Sequence, residues 1–134
     1  MSERGGMELK TPRNPQDRRK YPRHPDSSLA TTGLVDGEFV YVQDLNEEIW
    51  VLPDGPHRHP KVLGQALPVL YAGTLKVAGD TIVELTNLSR TFRCDDDEGL
   101  IEVAEWLLNR GWKLAGNAIR FFPFDGGRPY IISF

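Results

Sequence analysis

One helical pattern, set among short runs of strand-forming residues, most constrains what this chain can fold into. Asp95-Asp96-Asp97 precedes Leu100, Val103, Ala104, Leu107 and Leu108, which recur at helical spacing. Arg110 and Gly111 follow. An Asp cap and acids in the first turn suit the positive end of a helix dipole, and a glycine past the last turn closes it. The pattern predicts a helix from the aspartate run to Asn109 with one buried face. Capping accounts for the aspartates more simply than a metal site does.

The β-forming runs lie on both sides of that helix. Phe39-Val40-Tyr41-Val42 and Glu48-Ile49-Trp50-Val51-Leu52 predict a hairpin across Leu45-Asn46-Glu47, stopped by Pro53-Asp54-Gly55-Pro56. Val69 to Val77 and Thr81 to Thr86 predict two more strands joined at Ala78-Gly79-Asp80. Gly73 inside a strand marks a bulge or a close backbone approach. Arg90 to Cys94 is expected as a short fifth strand. Beyond the helix, Trp112-Lys113-Leu114 and Ala118 to Phe122 form a hairpin across Ala115-Gly116-Asn117, or the second run alone joins the earlier sheet. Asp125-Gly126-Gly127 reads as a tight turn and Tyr130 to Phe134 as a terminal strand. The expected fold class is α+β, an antiparallel sheet of about five to seven strands packed on one main helix.

Residues 1–33 read differently. Pro12, Pro15, Pro22 and Pro25 and many charges leave too little apolar area to offset the entropy of ordering. Residues 1–33 are therefore expected to be a flexible basic tail, and residues 34–134 a single α+β domain. The charge divides in the same way. Residues 1–26 carry seven Lys/Arg against four acids, whereas residues 27–134 carry nine against fifteen. The whole chain has net charge −3, which argues against a dedicated nucleic-acid binder. The single cysteine, Cys94, excludes an internal disulfide and a zinc site of several thiolates. The opening residues lack the apolar core of a signal peptide, and no run approaches the roughly 18 apolar residues that span a bilayer. The expected location is cytoplasmic, with export by a route that needs no cleaved signal left open. No membrane contact and no cofactor are expected.

Several residues are candidates for chemistry. His59 could serve as a general acid or base, given a carboxylate partner. His57 and His59 match no standard zinc spacing, and a loop whose His59-Pro60 step sets the turn is the simpler reading. Asn87 and Ser89 at a strand end either shape a turn or orient a ligand, and turn chemistry is the better expectation. No Gly-x-Ser-x-Gly elbow surrounds Ser89. Cys94 reads as a small buried residue. Candidate binding residues are Arg18, Arg19, Lys20 and Arg23 in the tail, and Phe121, Phe122 and Tyr130 near the end. Neighbours on a strand face opposite sides, so one ring of Phe121-Phe122 needs cover on the second face.

His59, Leu63-Gly64, Pro68, Ala72-Gly73-Thr74, Gly79, Asn87-Leu88-Ser89-Arg90-Thr91-Phe92, the helix from Gly99 and Gly111 follow one another in an order that resembles a known pattern. It is similar to a β-rich module of bacterial secreted-effector and polymorphic-toxin-like proteins. The chain departs from it at Thr74, where the pattern has Glu, and at Arg90-Thr91-Phe92, where it has Gly-His-Tyr. The resemblance implies a bacterial setting and the loss of whatever chemistry that Glu and His served.

Three functions are then in competition. The first is a non-catalytic protein-interaction module of a toxin, effector or defence system, whose partner is another protein or a second copy. The second is a small toxin-type enzyme, a transferase or hydrolase, with His59 as acid/base and Asn87 and Ser89 orienting substrate. The third is nucleic-acid binding through the basic arm, which the acidic domain disfavours.

Overall fold

The computed structural model describes residues 12–16, 19–55, 59–89 and 91–133. The strands are β1 (Ser28–Leu29), β2 (Gly37–Gln43), β3 (Ile49–Pro53), β4 (Tyr71–Ala78), β5 (Thr81–Thr86), β6 (Lys113–Leu114), β7 (Ile119–Phe121) and β8 (Tyr130–Ile132). Two helices accompany them, the four-residue α1 (Ala30–Gly33) and the main helix α2 (Asp97–Asn109). The sheet runs β1-β3-β2-β4-β5-β7-β8, with β6 also beside β5. This is an α+β fold with a mixed, mostly antiparallel sheet.

The two expected hairpins are present. Asp44 holds the turn between β2 and β3, accepting from the Asn46 and Glu48 amides and from the Trp50 indole. Gly73 makes the close approach its position suggested. A Cβ there would lie 1.9 Å from the Thr86 carbonyl oxygen. Gly73 faces Tyr41 across β2 and β4, and the Tyr41 hydroxyl donates to that same carbonyl at 2.7 Å.

α2 begins as the sequence predicts, with the Asp96 side chain accepting from the Gly99 amide at 2.9 Å. It ends at Gly111, whose φ of 92° is left-handed. Leu100, Val103, Ala104, Trp106 and Leu107 form its buried face. Leu108, expected on that face, is instead 40% exposed, and Trp106 is buried. Gly99 seats the helix on the sheet, since a Cβ there would meet the Tyr71 ring at 2.3 Å.

The chain after β5 departs from the expectation in two ways. Residues 91–94 form no strand: side chains of the preceding turn capture their backbone groups. The hairpin between residues 112–114 and 118–122 is also absent, and the alternative holds for the second run, which joins the earlier sheet at β5, although the first run joins it too. β6 and β7 each pair with β5, and both pairs are parallel. A helical crossover such as α2 is what allows parallel neighbours, because it returns the chain to the starting end of the sheet. β8 then pairs antiparallel with β7 and ends the sheet.

Within residues 1–33, the described part lies against the domain. Arg13 and Val69 exchange backbone hydrogen bonds at 2.7 and 2.9 Å, and the Gln16 amide donates to Thr91 O at 2.8 Å. Gln65 N donates to Tyr21 O, His24 N to Lys61 O, and Ser27 Oγ to Val62 O. β1 pairs with β3, and Ala30 is fully buried. These partners belong to the domain, and β1 and Ala30, expected within the tail, are part of its sheet and core.

Candidate functional site

The turn His59–Lys61 is one turn of 3₁₀ helix. It directs the His59 ring inward, where Nε2 donates to the Gly73 carbonyl at 2.7 Å. Burial lowers the His59 pKa below its ordinary 6.5, outweighing the Gly73 hydrogen bond and the Asp54 charge, which both raise it. His59 is therefore a neutral imidazole near pH 7, with Nε2 occupied by a backbone partner.

Asn87 and Ser89 sit at the end of β5, and their polar atoms are spent on backbone. Asn87 Nδ2 donates to Cys94 O at 2.9 Å and to Phe122 O at 3.0 Å, while Oδ1 accepts from Phe122 N at 2.8 Å. That exhausts the two N–H donors of the amide. Ser89 Oγ accepts from the Thr91 and Phe92 amides, each at 3.1 Å. Thr74 and Thr86 pair through their hydroxyls at 2.7 Å, and Thr86 Oγ1 also accepts from the Leu88 amide. Ser89 shows the local turn chemistry expected of it, whereas Asn87 ties the end of β5 to Cys94 and to the distant Phe122.

His59 and the turn after β5 do approach one another. His59 and Phe92 line one cavity, together with Pro15, Val42, Leu63 and Val69. Its volume is about 10 Å³. That is room for about one water and not for a substrate. Cys94 is buried, and burial pushes its thiol up to about 11, so the thiolate is not a ready nucleophile. Among the described residues, no group of three or more His, Cys, Asp or Glu could hold a metal ion.

The aromatic candidates lie elsewhere, at the β7–β8 end of the sheet. Phe121 is buried and Phe122 half-buried. The Tyr130 ring is tilted against Phe121 at 5.6 Å, and its hydroxyl donates to Asp97 Oδ2 at 2.7 Å. Beside them an open groove of about 530 Å³ is lined by Arg93, Asp95, Phe124, Arg128 and Tyr130 among others. The Arg93 guanidinium lies 4.7 Å from the centre of the exposed Phe124 ring. Phe124 and Ile131 were not singled out in the sequence. The first betrays itself as an aromatic beside a Gly-Gly turn, the second as an apolar residue on a terminal strand.

Of the arm candidates, Arg18 lies outside the described residues. Arg19 stacks over Tyr21 at 5.4 Å and Arg23 over Trp50 at 5.2 Å, while Lys20 is exposed. The sequence passed over Arg13. Its guanidinium donates to Leu70 O, pairs with Asp96 Oδ1 and lies 5.1 Å from the Tyr71 ring centre. No helix among the described residues is long and apolar enough to cross a membrane.

No family model matches the chain, and neither a curated protein nor a solved structure matches it.

Proposed function

We propose that this chain is a non-catalytic protein-interaction module, and that its setting is a bacterial toxin, effector or defence system. The setting rests on the resemblance carried by His59 to Gly111. The observation that carries the interaction reading is the β8 edge. Tyr130 is 43% and Ile131 48% exposed on a strand with one neighbouring strand among the described residues, and the Phe124 groove opens beside it. An unpaired edge with exposed apolar side chains is a template for adding a strand from another chain. The polar side chains that an enzyme would need are committed to backbone atoms, which supports the same reading.

Affinity capture with tagged wild type, His59→Ala and Ile131→Asp tests it. The expected result is a stoichiometric partner, either another protein or a second copy, retained by His59→Ala and lost by Ile131→Asp. Loss on His59→Ala with retention on Ile131→Asp overturns the reading and directs attention to chemistry at the imidazole.

A further inference from the structure

The described start of the chain is seated on the domain as a peptide sits on a receptor. Residues 12–16 meet it at two backbone segments, with two hydrogen bonds between Arg13 and Val69 before β4 and one from Gln16 to Thr91 after β5. Two side chains of that segment enter the domain, and they are two residues apart. In extended chain such a pair shares a face. The Arg13 guanidinium occupies a slot made by Leu70 O, the Asp96 carboxylate and the Tyr71 ring. Pro15 is buried against the cavity lined by Val42, Leu63, Val69 and Phe92.

The slot has the chemistry of an arginine receptor. It offers a carbonyl and a carboxylate to the planar donor fork, and a π face to the cation. A lysine ammonium would satisfy it less well, having no plane to stack. The slot is also built from groups the domain uses independently of the arm. Asp96 Oδ2 caps α2, and Tyr71 donates its hydroxyl to Asp96 O at 2.8 Å. The receptor is therefore held in shape by the helix start, and only Oδ1 of Asp96 turns to the guanidinium.

We propose that this surface, from Val69–Tyr71 to Thr91–Asp96, is a binding site for an extended peptide bearing Arg-x-Pro, which Arg13-Asn14-Pro15 fills in cis. A partner chain carrying the same pattern in extended form displaces the arm. The Asp96 carboxylate supplies the charge complement to the arginine of such a partner. The inference rests on the interaction reading for its purpose, but the arm's contacts are with Val69, Leu70, Tyr71, Thr91 and Asp96 and not with β8, so either can fail alone.

The test uses the full chain and a fluorescent peptide of residues 10–20, with binding followed by anisotropy. In wild type the cis arm competes at a high effective concentration, so the peptide is expected to bind Arg13→Ala/Pro15→Ala at least about tenfold more tightly than wild type. Replacing Arg13 or Pro15 by Ala in the peptide is expected to abolish that gain. Adding Asp96→Asn to the receptor, which keeps a capping side chain, is expected to do the same. Equal binding to wild type and the double variant, or binding indifferent to the peptide's Arg, overturns the proposal. Should the double variant fail to fold, amide exchange is read on Asp96→Asn with the natural arm. Faster exchange at Val69, relative to Val77 within β4, supports the arginine slot, and unchanged exchange overturns it. Partner capture that depends on Ile131 is untouched by any of these outcomes, which separates the two readings.

Discussion

The two ends of the chain finish the two sides of the sheet in opposite ways. On the first side the arm is poor in apolar residues, yet it is fastened along its described length by backbone pairs and by guanidinium groups laid on Tyr71 and Trp50. Its edge strand β1 has two residues and runs straight into α1, which leaves little open ladder. On the second side the segment from Phe121 to Ile132 is rich in apolar residues, and several stay outside: Phe124, Tyr130 and Ile131 are each 40% exposed or more. Apolar content therefore does not say which segment is covered. It says what a segment can bury by itself, whereas cover depends on the surface it meets. The arm meets prepared carbonyls and rings. β8 meets only β7.

The sharpest way to break the second side is Asn87→Ala. It strands the Cys94 carbonyl and both backbone groups of Phe122 without partners, and is expected to cost about 3 kcal/mol or more in urea unfolding. Activity-like loss without destabilisation would contradict the purely structural role given to this residue. Gly64→Ala is the counterpart on the first side. Gly64 has φ +80°, and a Cβ would lie 2.5 Å from Arg23 N and 2.9 Å from Tyr21 O. The arm must lift, with an expected loss of about 2 kcal/mol and faster proteolysis between residues 19 and 27. Cleavage there at the wild-type rate would mean that the arm does not depend on this crossing.

Acid is expected to act on the first side as well. The folded pKa of His59 is depressed by burial, so the unfolded chain binds the extra proton first. Stability should fall as pH drops through the ordinary value of 6.5 towards the lowered folded value, and the contribution should be complete above that range. His59→Gln, which retains an N–H for Gly73 O, should remove this step from a series of melting curves. A step that persists unchanged in the variant would assign it to another group. The smallest effect is expected for Tyr130→Phe. It deletes one exposed hydrogen bond to Asp97 and should shift stability by no more than about 0.5 kcal/mol. A larger loss would show β8 to be held more firmly than its exposure suggests.

Much of the fold was legible in the residues. β5 spans Thr81–Thr86 as its alternation predicts, Asp96 caps α2, and Gly73 lies under a foreign backbone. Each of these depends on a local rule of period, cap or close approach. Illegible were the absent strand at residues 91–94 and the parallel pairing of β6 and β7. At residues 91–94 the nearby side chains of Asn87 and Ser89 take backbone groups that a strand would use, whereas for β6 and β7 a distant partner decides. Asn87 binds Phe122, 35 residues away, and α2 carries the chain back across the sheet before β6 begins. The candidate site divides similarly. Asn and Ser at a strand end could be recognised as turn-formers, but that His59 points at Gly73 O could not.

Sequence alone determined the α+β class, the helix with its cap and closing glycine, and the two hairpins. These follow from periodicity and from conformational preferences that act within a few residues. The tertiary structure alone decided where the arm lies, which strands run parallel, and that Arg13 meets Asp96 across 83 residues of chain. Contacts of that kind exist only after the sheet and α2 have brought Tyr71, Leu70 and Asp96 to one place. No spacing within the chain encodes such a meeting, because its geometry belongs to the packed elements and not to the segment that docks on them.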